Sequence, residues 1–536
     1  MGSQEKSPEV QKNVESHIAA SAGIVAIGTF SSRILGFIRD VILAGIFGAS
    51  SAADAFYVAF RIPNFLRELF AEGSMSAAFV PVFSEYLTLR GKTEARKLGR
   101  AALTVLLILI TGVVTLGIIF SPQILSVIAR GFLSDPEKFA LTTTLTRMMF
   151  PFLLFISCAA WVMGILNSTR HFGPPAFSSA VYNIINIAMI LTLSPYLAQP
   201  VFAAAVGVTL GGAAQFLIQL PTLYREGFSI ALLKPVLPLH PGVVKMGKLI
   251  LPTIVGLSVT QVNLLINTFL ASYLPLGSVS YLYYGMRLIH FPLGIFAVAL
   301  STALLPTLST QAAKGDYPAL SDSFSFGLRL VFFITFPALL GLILFRVPIV
   351  QTLFEHGAFD HAATLGTADA VLFYAVGLWA FAGVRIVVPV FYAMQDTKTP
   401  VKVAVFAMLL NLVLNIALMF TLKHRGLALA TSLSAMFNFS CLLIILKKRI
   451  DWPDGRRILS SHLKVILASL VMLIPAYWLS GQALWKTQGA WDMKTLSLAA
   501  AILSSAAGYF IVQYFFKSEE LHFLIELIKN RRKKSA

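Results

Sequence analysis

Ionisable side chains stand inside apolar stretches of this chain, where they could bind a charged ligand. They occur in the first two long apolar stretches and in the eighth: Arg33, Arg39, Asp40, Asp54, Arg61, Arg67, Glu68, Glu72, Arg287 and His290. An Arg or Asp at the centre of a membrane-spanning helix costs about 2.5–3.5 kcal/mol on insertion scales. Because so many charges facing lipid would oppose insertion, we expect them to line a polar cavity.

The spacing of these charges supports a shared face. Arg33 and Asp40 are seven residues apart, which on a helix puts them close to one face and about 10 Å apart along the axis. Asp54, Arg61 and Glu68 repeat the interval. The pattern predicts a charged lining on the first two helices.

The guanidinium fork matches the oxygens of phosphate in pairs, so an arginine-rich cavity favours an anionic, phosphate-bearing cargo. A second interpretation stays open for Arg33, Asp54 and Glu72. These three could be snorkelling side chains at helix ends or members of structural ion pairs. Arg39, Arg67 and Arg287 lack an obvious opposite charge in every helical register, which favours the cavity.

Composition defines the elements that must position these residues. The 536 residues are 57% hydrophobic and 12% charged, with a mean hydropathy of +0.79. At about 20 apolar residues per span, that content supplies about 14 helices, so we expect an all-α polytopic membrane protein. The predicted spans are 19–47, 53–88, 98–121, 141–167, 175–197, 200–223, 245–273, 278–309, 325–348, 364–394, 401–421, 426–446, 461–481 and 495–516.

The basic residues are distributed unevenly over the predicted loops. About 26 Lys and Arg lie on one side of the membrane and about 7 on the other, which by the positive-inside rule places both termini in the cytoplasm. The first 17 residues are polar, so no cleavable signal peptide is expected.

An internal repeat divides the predicted spans. Segment 52–84 resembles 278–309, and 174–190 resembles 399–419, both at a displacement of about 225 residues. The repeat predicts two six-helix lobes related by a pseudo-two-fold axis along the membrane normal. The expected organisation is a cytoplasmic tail (1–18), an N-lobe (19–230), a C-lobe (236–450), two extra helices (458–517) and a basic amphipathic cytoplasmic tail (518–536).

Several other classes of function are excluded by what the chain contains. The net charge of +18 is interrupted by long apolar runs, which does not suit nucleic-acid binding. The two cysteines, Cys158 and Cys441, both lie in apolar runs, and the histidines have no ligand spacing, so no metal site is expected. A phosphate-binding GxxxxGKS motif is absent, which argues against ATP hydrolysis.

Small and amide side chains in the spans have mainly structural interpretations. Asn183, Asn186, Asn411 and Asn415 are expected to form hydrogen bonds between helices, and Gly211–Gly212 to permit close helix packing. The 518–536 tail is expected to lie on the anionic inner leaflet.

Long segments of the sequence resemble the MurJ (MviN) lipid II flippase family of the multidrug/oligosaccharidyl-lipid/polysaccharide exporter superfamily. They are TFSSRILGFIRDVILAGIFG, ADAFYVAFRIPNFLRELFAEG, AFVPVFSEY, SYLYYGMRLIHFPLGIFAVALSTALLPTLS and YAMQDTKTPVKVA. The resemblance covers essentially the whole chain. It implies transport of the undecaprenyl-diphosphate-linked peptidoglycan precursor, lipid II, from the inner to the outer leaflet.

The resemblance also implies roles for individual residues. The substrate-binding cations would be Arg33, Arg39, Arg61, Arg67 and Arg287, with Asp40 and Asp54 as their acidic partners. The last two helices would form a groove for the lipid tail.

Two positions depart from the family pattern. His290 stands where relatives often carry an acid, so it is expected to modulate the charge of the cavity. Some members bind sodium through an acid on the seventh helix, but this helix offers only Gln261, Asn263 and Asn267, so no sodium site is expected.

These observations together predict a monomeric, non-enzymatic, alternating-access lipid II flippase of the bacterial cytoplasmic membrane. It would use no cofactor and be driven by the membrane potential, with lipid II and the bilayer as its partners. Alternatives are a flippase for another polyprenyl-diphosphate-linked oligosaccharide, a drug exporter, or a polyprenyl-phosphate glycosyltransferase. Drug exporters favour acidic cavities, and the glycosyltransferase would need a long extramembrane loop with an acidic cluster.

Overall fold

The computed structural model describes residues 8–73, 75–231, 239–450, 455–480, 485 and 491–535. Within these ranges the regular secondary structure is helical. The chain forms two compact units, residues 1–265 and 266–536, and the division falls inside a helix that begins at Pro241.

The first unit contains ten complete helices and most of an eleventh. They are α1 (Pro8–Phe47), α2 (Ser51–Arg67), α3 (Val80–Leu89), α4 (Gly91–Ile119), α5 (Ser121–Ile128), α6 (Pro136–Met149), α7 (Phe152–Ser168), α8 (Gly173–Leu193), α9 (Val201–Leu217), α10 (Leu220–Arg225) and α11 (Pro241–Ala271). Short π-helical segments at Glu68–Gly73 and Met75–Phe79 join α2 to α3.

The second unit contains the end of α11 and the helices that follow it along the chain. They are α12 (Ser278–Pro292), α13 (Val298–Ala313), α14 (Tyr317–Leu344), α15 (Arg346–Phe354), α16 (His361–Ala375), α17 (Leu378–Ala393), α18 (Lys398–Leu422), α19 (His424–Lys447), α20 (Gly455–Ser469), α21 (Leu473–Ser480), α22 (Trp491–Phe515) and α23 (Glu519–Ser535). A π-helical segment at Leu293–Ala297 joins α12 to α13.

Each predicted span coincides with one helix or with consecutive helices, so the all-α polytopic class is confirmed. Within the described residues, ten helices are long and apolar enough to cross a membrane, and the bent pair α16–α17 makes an eleventh. The charged α1 and α2 do not meet that apolar criterion, as expected for helices that carry buried ionic groups.

The structure reproduces the predicted repeat at two levels. Within the first unit α2 packs on α6, α4 on α7, α7 on α9 and α8 on α9; within the second, α12 packs on α16, α14 on α17, α17 on α19 and α18 on α19. The π-helical break at Glu68–Gly73 has its counterpart at Leu293–Ala297, about 225 residues later. Such breaks commonly mark functional positions in a helix.

Close helix contacts explain the small residues of α9, as predicted for the Gly pair. A side chain at Gly211 would lie 2.9 Å from the Tyr182 ring, and one at Gly212 would lie 2.6 Å from the Phe152 ring. Replacing either glycine with a residue that has a side chain would therefore force α9 away from its neighbours.

The last helices pack on α14 and α15 within the second unit. Phe333 of α14 lies in a buried cluster with Val465 and Tyr509, and the Tyr509 hydroxyl donates to the Phe333 carbonyl at 2.8 Å. Glu520, at the start of α23, is 2% exposed and receives a hydrogen bond from Arg329 Nη1 of α14 at 2.7 Å. The tail predicted at 518–536 thus begins as a helix tied to α14, while most side chains after Glu526 lie outside the described set.

Candidate functional site

The most buried charge of the predicted set is Asp40, on α1. It is 0% exposed and accepts hydrogen bonds from Arg39 Nη2 at 2.8 Å and Arg39 Nε at 3.2 Å. Arg39 Nη1 donates to Asn183 Oδ1 on α8 at 3.2 Å, and the Asn183 amide donates to the Ser32 carbonyl at 3.1 Å. Asn183 therefore joins α1 to α8, as predicted, and fixes the direction of the Arg39 guanidinium.

Arg67 ends α2, immediately before the π-helical segment. Its Nε donates to Asn64 Oδ1 one turn earlier at 3.1 Å, and its Nη2 lies 3.8 Å from the Glu68 carboxylate. Both charged side chains are partly exposed, at 24% and 34%, so water screens this ion pair and its contribution is small. Glu68 also accepts a hydrogen bond from Gln261 of α11.

Two of the predicted cations lie in the neighbourhood of Tyr182. The Arg39 guanidinium lies over the Tyr182 ring of α8, 5.9 Å from its centroid. Arg39, Asp40 and Arg67 are all close enough to the Tyr182 hydroxyl to interact with it electrostatically. The fold therefore brings charges from α1 and α2 together beside α8.

Asp54 lies elsewhere, in a second buried ion pair. It stands in the first turn of α2, is 1% exposed, and contacts Lys138 Nζ of α6 at 3.0 Å. Lys138 is 8% exposed, and its ammonium also lies 4.1 Å from the centroid of the Phe132 ring. The Asp54 carboxylate is thus paired with a lysine of α6 that the sequence analysis did not connect with it.

The remaining predicted residues have more open surroundings. Arg33 is exposed on α1 and forms no ion pair within the described part of the chain, whereas Asp40 is buried. Arg61 on α2 and Arg287 on α12 are half-buried, and His290 on α12 is exposed. The interval of seven residues therefore does not produce one continuous charged face.

Of the three amide residues named on the seventh predicted span, which is α11, Gln261 and Asn267 form side-chain hydrogen bonds. The Asn415 amide of α18 donates to Asn267 Oδ1 at 2.7 Å and to Asn411 Oδ1 at 2.9 Å, which links α11 to α18 as predicted. Among the described residues no group of three His, Cys, Asp or Glu side chains could hold a metal ion.

Near Tyr182, an anionic ligand could replace a carboxylate that is bound to an arginine. The carboxylate of Asp40 is buried and closely bonded, so breaking it from Arg39 would leave an uncompensated charge. The contact between Arg67 and Glu68 is longer, at 3.8 Å, and both side chains are partly exposed. A phosphate could therefore replace the Glu68 carboxylate at a low cost in free energy. Of these two cations, Arg67 is therefore better suited to bind an anionic ligand. Arg39 stays paired with Asp40.

Sequence reasoning missed Asn64, Tyr182 and Lys138. Asn64 stands three residues before Arg67, a spacing that predicts contact on a helix, and it could have been recognised. The Asp135 cap placed Lys138 in the first turn of α6, but no local signal pairs it with a residue 84 positions away.

Comparison with known proteins identifies the chain. The family model described as "Lipid II flippase MurJ" matches residues 43–507. A probable lipid II flippase MurJ of Vibrio cholerae is 36% identical, over 93% of this chain and 96% of its own length. A lipid II flippase MurJ of Burkholderia cenocepacia is also 36% identical, over 90% of this chain and 94% of its own.

Solved structures agree with these sequence matches. A lipid II flippase MurJ in an inward closed conformation superposes with a TM-score of 0.77 and 28% identity, covering 92% of this chain and 98% of that one. An inward-facing MATE family transporter of the MOP superfamily gives 0.67 at 14% identity, covering 78% and 94%, and so shares the fold. The chain belongs to the MurJ family of lipid II flippases, a group of multi-span membrane transporters.

Proposed function

We propose that this chain moves lipid II from the inner to the outer leaflet of the bacterial cytoplasmic membrane by alternating access. The observation that carries the proposal is the position of Arg39 and Arg67 near Tyr182, in a chain that matches the flippase family over residues 43–507. A diphosphate carries the anionic oxygens that such a pair of guanidinium groups binds most strongly.

In this mechanism each cation has its own part. Arg67 exchanges its screened contact with Glu68 for a cargo phosphate, while Arg39 stays paired with Asp40 and offers the cargo hydrogen-bond donors only. Arg287 of the second repeat also binds the anionic cargo, and Arg61 and Arg33 add positive charge along the route. The exposed His290 moderates that charge, and the polyprenyl tail stays in lipid along residues 458–517.

The energy for transport comes from the membrane potential and needs no cofactor. A negative interior favours outward passage of an anion by about 2.3 kcal/mol per charge per 100 mV, and equally favours inward return of an empty cationic cavity. We propose that the chain works as a monomer and catalyses no covalent step.

Depletion of the protein tests the cargo directly. In cells whose flippase is this chain alone, depletion should trap lipid II in the inner leaflet while its synthesis continues. The measurement is the fraction of lipid II accessible at the outer surface, compared with that of another polyprenyl-diphosphate-linked oligosaccharide as control. If only the control lipid became trapped, the alternative cargo would be correct.

The orientation of the loops has its own test. In a variant with Cys158 and Cys441 replaced by alanine, Thr93→Cys and Arg456→Cys should resist a membrane-impermeant thiol reagent in intact cells, because the basic loops are cytoplasmic. Ala358→Cys, an exposed position on the opposite side, should react. All three should react in permeabilised cells. Labelling of Thr93→Cys in intact cells would reverse the orientation.

A further inference from the structure

A surface groove between α18 and α19 is separate from the Tyr182 site. It is a cavity of about 390 Å³, and its wall is apolar over most of its length. Phe406 of α18 faces Phe437 and Cys441 of α19 along the groove, and Lys402 stands nearer the start of α18 with Thr399. The groove thus has a cationic end and an apolar body.

Lys402 supplies the only charge among the described residues that line this groove. Its side chain is exposed and forms no ion pair within the described part of the chain. Lys398 lies one turn earlier on α18, and Lys447 and Lys448 lie at the end of α19, all three exposed. This end of the helix pair therefore carries a local excess of positive charge.

The acid next to this end does not neutralise the lysines. Asp396, in the loop before α18, accepts a hydrogen bond from the Thr399 hydroxyl at 2.6 Å and contacts Arg449 Nη1 at 2.5 Å. The two Thr399 hydrogen bonds, followed by Arg449, lower the pKa of Asp396 to about 2. Asp396 thus stays ionised and balances Arg449, so that no carboxylate among the described residues is paired with Lys402.

The apolar body continues along α18 away from Lys402. Phe406, Val413 and Phe420 are 62%, 62% and 78% exposed, and Leu409 and Ile416 lie between them at helical spacing. The track from Phe406 to Phe420 is about 21 Å long. That length exceeds half of the ~30 Å hydrocarbon core, so an acyl chain of one leaflet can lie along it.

We propose that the groove between α18 and α19 binds an anionic phospholipid of the bilayer, with its phosphate at Lys402 and an acyl chain against Phe406, Phe437 and Cys441. The surrounding lysines favour an anionic headgroup over a zwitterionic one, whose quaternary ammonium offsets the charge of its phosphate. The site is independent of the proposed cargo route, since it shares no residue with it.

Cys441 makes the occupant measurable at this site alone. The chain has only two cysteines, so a Cys158→Ser variant keeps one thiol, which lines the groove. The purified full-length variant is placed in vesicles of phosphatidylcholine, or of equal parts phosphatidylcholine and phosphatidylglycerol, and alkylation by neutral N-ethylmaleimide is timed. Phosphatidylglycerol should slow alkylation of Cys441 about fivefold, the equivalent of about 1 kcal/mol for one lysine near an anionic lipid.

Matched variants separate the site from general effects of the lipid. Lys402→Gln should abolish the slowing, whereas Lys314→Gln, an exposed lysine after α13, should preserve it. In a Cys158→Ser, Cys441→Ser background, Ile444→Cys on the exposed face of α19 should react equally in both vesicles. Glycerol 3-phosphate, which has the phosphate without acyl chains, should not slow alkylation of Cys441.

Several results would overturn the proposal. Equal alkylation of Cys441 in the two vesicles would show that no anionic lipid occupies the groove. The same would follow if Lys402→Gln behaved like Lys314→Gln, or if Ile444→Cys slowed as much as Cys441. Protection by glycerol 3-phosphate would assign the site to a free phosphate, and protection only by an added polyprenyl diphosphate would assign it to cargo.

Phe406→Ser, at an exposed side chain, provides a second groove variant, in which phosphatidylglycerol should also fail to slow the alkylation of Cys441.

Discussion

Cells that depend on Arg67→Ala or Arg287→Ala should stop growing when the native flippase is depleted, although both variant proteins insert and accumulate normally. Arg67 in the first repeat and Arg287 in the second are each proposed to bind the anionic cargo, so that occupancy drives the change of conformation. Charge-assisted hydrogen bonds of this kind contribute about 1.5–3 kcal/mol each. Loss of either arginine would therefore remove both affinity and the signal to change conformation.

The growth assay has three internal comparisons. Arg67→Lys and Arg287→Lys keep the charge but lose the two-toothed guanidinium contact, so they should be partly active at best. The double alanine variant should be no worse than either single one, because cargo transport already fails when one of the two arginines is missing. His290→Ala, at an exposed position on the same helix as Arg287, should be mild. Full growth of either single alanine variant at normal protein level would leave these arginines with a structural role.

Lys138→Met should destabilise the protein by about 3–5 kcal/mol, because it leaves the Asp54 carboxylate buried without its cation. The double variant Lys138→Met, Asp54→Leu removes both charges and should recover most of that loss. The measurement is the free energy of unfolding of the purified protein in detergent. Lys97→Met is the matched control, because its pair with Glu94 is exposed and screened by solvent, so its loss should be far less destabilising.

The same variants decide what Asp54 does. If Lys138→Met were no more harmful than Lys97→Met, the buried pair would not stabilise the fold. Growth supported by the double variant would show that Asp54 is a structural residue joining α2 to α6. A double variant that is stable but does not support growth would instead place Asp54 in transport, as the family resemblance implies.

The sequence predicted much of the fold because hydropathy and helical spacing are local properties. Runs of about 20 apolar residues predicted helices that the structure confirms, and similarity at a displacement of about 225 residues predicted the repeated helix pairs. It also predicted that Asn183 and Asn415 would join helices, since an amide in an apolar helix needs a hydrogen-bond partner. The π-helical breaks were not predicted, because their hydrogen bonding leaves no clear mark on composition.

The partners of the charged residues were not local, and here the sequence was insufficient. Helical spacing predicted that Arg33 and Asp40 share a face but did not say which cation binds Asp40; in the structure it is Arg39, whose guanidinium is held in place by Asn183 of α8. Asp54 binds Lys138, 84 residues away, because α2 and α6 pack together. Sequence by itself determined that the chain crosses a membrane, repeats itself and carries arginines suited to phosphate. Only the packing of helices decided which carboxylate each cation meets, because a buried charge binds the nearest opposite charge in space, whatever its position in the chain.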